Sequence, residues 1–139
     1  MDRRTKVSVL RGLSRIRLGD AWALLKTQAH ERRNGAIYIA GYSVECALKV
    51  KICELKGKKS FDPFKDPDLI DLKIHNLWLL AERGGLLKRI VESPDNLRAL
   101  KYMSNWVVTW RYQLRFVSYQ EVEVFLKQAE GFNTWLLGK

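Results

Sequence analysis

Five side chains in this sequence have the types and spacing to do chemistry together. Glu45 and Lys49 stand four residues apart in VECALK, with the acid N-terminal to the base, the better order for pairing along a helix. His75 stands in HNL, and Arg111 and Tyr112 stand in WRY. An arginine beside a tyrosine can hold a phosphate or stack on a base. A histidine within reach of such a group can act as a general base. The same residues also have a structural reading, in which Arg111 pairs with a buried acid such as Glu45 while Trp110 and Tyr112 fill the core. The second histidine, His30, lies beside Glu31, Arg32 and Arg33. There it reads as a cation at a helix C-terminus rather than as a catalytic group.

Other chemistries lack their signatures. Gly84-Gly85 is not flanked as a phosphate-binding loop, and neither GxxxxGK[ST] nor HExxH occurs. Two distant histidines and no CxxC pair argue against a metal site. No serine carries the surroundings of a nucleophile elbow. No cofactor is expected. The two cysteines, Cys46 and Cys53, are seven residues apart, a rise of about 10 Å on a helix. A disulfide needs Cα atoms within roughly 7 Å, so the two read as buried thiols of a reducing compartment.

Composition sets the wider bounds. The 139 residues are 47% hydrophobic and 29% charged, as in an ordinary single globular domain. With 25 Lys+Arg against 15 Asp+Glu, the net charge is +10, which favours an acidic partner such as nucleic acid. No stretch approaches the roughly 18 apolar residues of a membrane span. The N-terminus carries neither a long apolar run nor a cleavage site, so the expected location is cytoplasmic.

The elements that must position these residues are all helical in period. The stretch Ile37 to Lys56 is apolar over most of its girth, with Ser43, Lys51 and Glu54 on its wet side, and predicts a central helix packed on two sides. Residues 1–16 read as a basic arm or helix extension carrying Arg3, Arg4, Lys6, Arg11 and Arg15, and 17–139 as the helical domain. A first helix is expected from Leu18 to Arg33, stopped by Asn34-Gly35. A long loop follows Gly57, with Phe61 and Phe64 to pin it. A third helix, Asp71 to Arg83, ends at Gly84-Gly85. A short turn covers Leu86 to Val91. Ser93-Pro94 starts a fourth helix that reaches about Val108. Ser118 to Glu121 is a capping box opening the last helix, whose apolar face is Val122, Phe125, Leu126, Ala129, Phe132 and Leu136. No strand signal competes. The expected fold is an all-α, up-and-down bundle of four to five helices.

The order of these features resembles the HEPN domain (higher eukaryotes and prokaryotes nucleotide-binding), in its stand-alone prokaryotic form. The resemblance runs from about Arg17 to Lys139 and rests on AIYIAGYSVECALKVKI, HNLWLLAERGG, WRY and EVEVFLKQAEGFNTWL in that order. It implies a homodimer, a partnership with a small nucleotidyltransferase protein in a toxin–antitoxin or defence-like system, and binding of nucleotide or RNA. The family's recurrent polar positions fall on Glu45, Lys49, His75, Arg111 and Tyr112. Some members are metal-independent ribonucleases marked by Arg, four to six residues, then His. That motif is absent: Ala23, Leu24 and Leu25 precede His30 where the Arg would stand, and Asp68, Leu69 and Ile70 precede His75. The leaning is therefore away from an enzyme. Two alternatives stay open, a ribonuclease using His75 and Arg111 in a non-standard arrangement, and a structural adaptor with Glu45, Lys49 and Arg111 as an ionic lock.

Overall fold

The computed structural model describes the backbone of residues 5–27, 30–112 and 117–138, and the side chains of all of these except 30–31 and 106–112. Helix α1 spans Val7–Lys26, α2 His30–Lys56, α3 Leu77–Arg83, α4 Leu87–Val91, α5 Pro94–Tyr112 and α6 Tyr119–Leu137. A 310 turn at Pro67–Leu72 precedes α3. The chain is an all-α bundle of four long and two short helices among the described residues.

The bundle is built around α2, 27 residues long, or about 40 Å. Its register with α1 can be read from three contacts. Leu24 lies against Gly35, Ser14 bonds Ser43, and Arg11 pairs with Glu54. Rising numbers on α1 meet falling numbers on the partner in the first and last of these as in the second, so α1 and α2 are antiparallel. Helix α6 runs with α2, since Arg33 Nη1 donates to the Val117 carbonyl at 3.3 Å and Asn133 meets Ser43 further along.

Ser43 does not lie on a wet side. It shares one face of α2 with Ala36, Ala40 and Ala47, and all four are fully buried. Small side chains there let α1 approach closely. Ser14 Oγ donates to the Ser43 carbonyl at 2.9 Å, and Ser43 Oγ donates to the Ser14 carbonyl at 2.5 Å. Both hydroxyl protons are thereby used, and the oxygens accept from Asn133 Nδ2 of α6. The serine at position 43 reads as polar in sequence, but its hydrogen-bonding capacity is met inside the interface.

Other boundaries also differ from expectation. The turn between α1 and α2 falls near Thr27, so Asn34 and Gly35 lie within α2. Helix α1 runs unbroken from Val7, through the basic segment. Helix α5 continues past the expected end at Val108 and carries the backbone of Trp110, Arg111 and Tyr112 in its last turn. The third helix is split, because Asn76 caps α3 by accepting from the Leu79 amide at 3.0 Å. Asp66 and Pro67 start the 310 turn ahead of it. A two-residue strand, Thr5–Lys6 (β1), pairs antiparallel with Ser60–Phe61 (β2) and ties the start of α1 to the long loop. Phe61 is buried there, whereas Phe64 is half exposed beneath Lys73. The capping box at Ser118 and Glu121 forms as expected, and every residue of the expected apolar face of α6 is buried.

Glycines separate two situations. A Cβ at Gly84 would lie 2.5 Å from Ile52 Cγ1, so α3 ends hard against α2. At Gly131, inside α6, a Cβ meets nothing. Gly84→Ala is therefore expected to lower unfolding free energy by about 1–3 kcal/mol through overpacking. Gly131→Ala is expected to raise it by up to about 1 kcal/mol through helix propensity. Urea denaturation of the two variants checks both signs.

Candidate functional site

The buried acid of the central helix is the anchor of the site. Glu45 is 6% exposed. Its Oε2 accepts from Lys49 Nζ at 2.9 Å, one helical turn on, and lies 3.1 Å from His75 Nδ1. The Lys49 ammonium also sits over the Phe61 ring, 4.9 Å from its centroid. Glu45 and Lys49 come from α2, Phe61 from β2, and His75 from the extended segment just before the α3 cap.

The pieces are positioned for local reasons. The helical spacing of Glu45 and Lys49 brings carboxylate and ammonium together. Asn76, as N-cap, has extended backbone (φ −73°, ψ 120°), so the chain leaves the helix axis just where His75 stands. His75 is not on the third helix. It reaches back to Glu45 from outside, with its side chain 70% exposed. A carboxylate on Nδ1 fixes the ring's orientation and tautomer and leaves Nε2 on the open side. The lysine is mostly buried between its acid and the aromatic ring, so it is the histidine that offers a polar edge to solvent.

Three of the five expected site residues are thus brought together: Glu45, Lys49 and His75. The side chains of Arg111 and Tyr112 lie outside the described residues. His30 also falls among the side chains not described. Phe61 was expected only to pin the loop. Its place over Lys49 is set by the β1–β2 pairing, whose two-residue strands leave almost no trace in sequence.

Next to the acid, α2 carries a second polar pair. Tyr42 and Cys46 stand one turn apart on it. Burial pushes the Cys46 thiol up to about 11, with the nearby Glu45 charge adding to the shift, and pushes Tyr42 up to about 12. Burial likewise lifts Cys53 to about 11. Both thiols are free and buried. Among the described residues, no group of His, Cys, Asp and Glu is arranged to hold a metal ion. Nor is any helix long and apolar enough to cross a membrane.

Compared with family models, curated proteins and solved structures, the chain finds no match.

The site separates a buried layer, Glu45 and Lys49, from an exposed one, His75. Glu45→Gln is expected to cost about 1–3 kcal/mol of stability, because it leaves a largely buried ammonium without its charge partner. His75→Ala, at an exposed position, should stay within about 0.5 kcal/mol of the parent. Chemical denaturation of both variants reads the contrast; equal losses would dissolve the two layers into one. The thiols supply a pH test. An unfolded thiol ionises near 9 and the folded ones near 11. Between those values the unfolded chain releases protons that the folded chain retains. Stability must therefore fall as pH rises from about 9 toward about 11. Urea midpoints across that range should show the fall, and replacing Cys46 by Ala should flatten it.

Proposed function

We propose that this chain is a HEPN-type module that engages nucleotide or RNA, in partnership with a nucleotidyltransferase subunit of a toxin–antitoxin or defence-like system. The observation that carries the reading is the Glu45–His75 contact, 3.1 Å from carboxylate to Nδ1, with the imidazole largely in solvent. A histidine oriented by a buried acid through Nδ1 presents Nε2 as an acceptor to an incoming ribose hydroxyl. The net charge of +10 supplies the long-range attraction that such a partner needs. Arg111 and Tyr112 complete the proposed contact set, the arginine for phosphate and the tyrosine for a base. The order of sequence motifs supports the family, and the all-α bundle is compatible with it.

The same contact favours one second reading. A carboxylate–histidine pair is the arrangement that turns an imidazole into a general base. In a ribonuclease, His75 would take the proton of a 2′-hydroxyl, and Arg111 would stabilise the charge gathering on the phosphorus oxygens. The missing Arg-x4-6-His spacing weighs against that reading.

Two measurements separate the readings. Labelled single-stranded RNA, followed by fluorescence anisotropy, should bind more weakly as salt rises. Its affinity should drop several-fold in His75→Ala, the loss of one neutral hydrogen bond worth about 1 kcal/mol. RNA incubated with the parent chain should remain intact. Cleavage by the parent that disappears in His75→Ala would establish the ribonuclease instead, and RNA that never binds would remove both.

A further inference from the structure

A groove runs between α1 and α6, and none of Glu45, Lys49 and His75 lines it. Its volume is about 610 Å³, inside the range of roughly 300–1,000 Å³ that small-molecule sites occupy. Its walls carry Arg11, Gly12, Arg15, Gly19 and Trp22 of α1 and Glu130 of α6, among others. Helix α6 runs antiparallel to α1, with Asn133 level with Ser14. The two arginines therefore stand toward one end of the groove, and Trp22 and Glu130 toward the other. At Gly12 and Gly19 a Cβ would meet nothing within 4 Å. Glycine inside a helix costs about 1 kcal/mol relative to alanine, and packing inside the chain demands neither residue. What the pair preserves is the width of the groove, since both line it.

We propose that this groove binds a small molecule in which a planar ring carries an anionic group. Three features choose that chemistry. First, Arg15 lines the groove with neither an ion pair nor a hydrogen bond among the described residues. Its guanidinium fork is open to a carboxylate or a phosphate. Arg11, one turn earlier, is held by Glu54 through Nη2, so its charge is offset and Arg15 is the anchor. Second, Trp22 lines the other end and is half-buried. The face of its indole is a flat apolar surface on which a ring packs; the buried Nε1 takes no part. Arg15 and Trp22 are seven residues apart, about 10 Å along the helix axis, a span that a ring and its acid group cover together with the arginine side chain. Third, Glu130 stands toward the ring end without a partner among the described residues. An ionised carboxylate only accepts hydrogen bonds, so it favours an amino or hydroxyl group on the ring and repels a second anion. The ligand is thereby read along its length, acid at Arg15 and donor at Glu130. The inference is independent of the Glu45 site and of the reading built on it.

The test uses the full chain and two dyes of nearly the same shape. Anilinonaphthalene sulfonate is an anion, and phenylnaphthylamine lacks the sulfonate. Fluorescence titration should show one anionic dye bound per chain, about tenfold more tightly than the neutral dye. Arg15→Gln should remove that advantage, weakening the sulfonate about tenfold and leaving the amine unchanged. Gly12→Leu and Gly19→Leu together should fill the groove and abolish binding of both dyes. Circular dichroism and melting should hold in that variant, because a Cβ meets nothing at either position. His75→Ala should leave both dyes bound as in the parent. Displacement of the sulfonate by para-aminobenzoate would identify the ligand's acid as a carboxylate, and displacement by adenosine monophosphate as a phosphate. Equal affinity for the two dyes, binding that survives the paired leucines, loss of binding in His75→Ala, or a dye that neither acid displaces would overturn the proposal.

Discussion

The exchange of hydroxyl–carbonyl bonds between Ser14 and Ser43 is the constraint on which the bundle depends. Alanines at 36, 40 and 47 would let α1 slide along α2 at little cost, since a smooth apolar face has no preferred register. Two serines remove that freedom. Each donates to the other's carbonyl, and both receive Asn133 from α6. A net gain of about 1 kcal/mol per bond is modest, but a displaced register would bury the same groups unpaired, at about 1–3 kcal/mol each. Three helices are thereby held at one level by a penalty on every alternative, while the surrounding apolar side chains supply most of the driving force.

That register decides what happens on the far side of α2. Glu45 is two residues beyond Ser43, about 200° around the helix, so fixing the serine toward α1 turns the acid toward the β2 and pre-α3 segments. The long loop then brings its own side chains to it. Lys58 bonds Asp66 and Asp68 at 3.2 and 2.8 Å, which folds the loop onto itself. Phe61, held by the pairing of β2 with β1, closes over Lys49. The outcome is an acid whose charge is matched within the protein by Lys49 and shared with one solvent-facing imidazole. This combination leaves His75 Nε2 as an acceptor toward solvent, because the buried carboxylate orients the ring through Nδ1.

Much of the architecture was legible in the linear chain. The capping box at Ser118 and Glu121, the Ser93-Pro94 start of α5 and the apolar face of α6 are short-range signals, settled within one or two helical turns. The Glu45–Lys49 pair was legible for the same reason. Asn34-Gly35 misled because a turn dipeptide is only a local preference. In the bundle Gly35 faces Leu24, and the helix continues through it. Asn76 carried a capping signal that the apolar stripe around it obscured, and with it the true place of His75.

What the sequence by itself determined, then, was the helical class, the helix ends marked by capping residues, and the acid–base pair one turn apart on α2. Each depends on interactions within a few residues. Only the tertiary structure decided that Ser43 is buried, that His75 reaches Glu45 from thirty positions away, and that Phe61 covers Lys49. Those outcomes depend on which helix faces lie opposite each other. That is set by packing and hydrogen-bond satisfaction across the whole bundle, and it leaves no periodic mark along the chain.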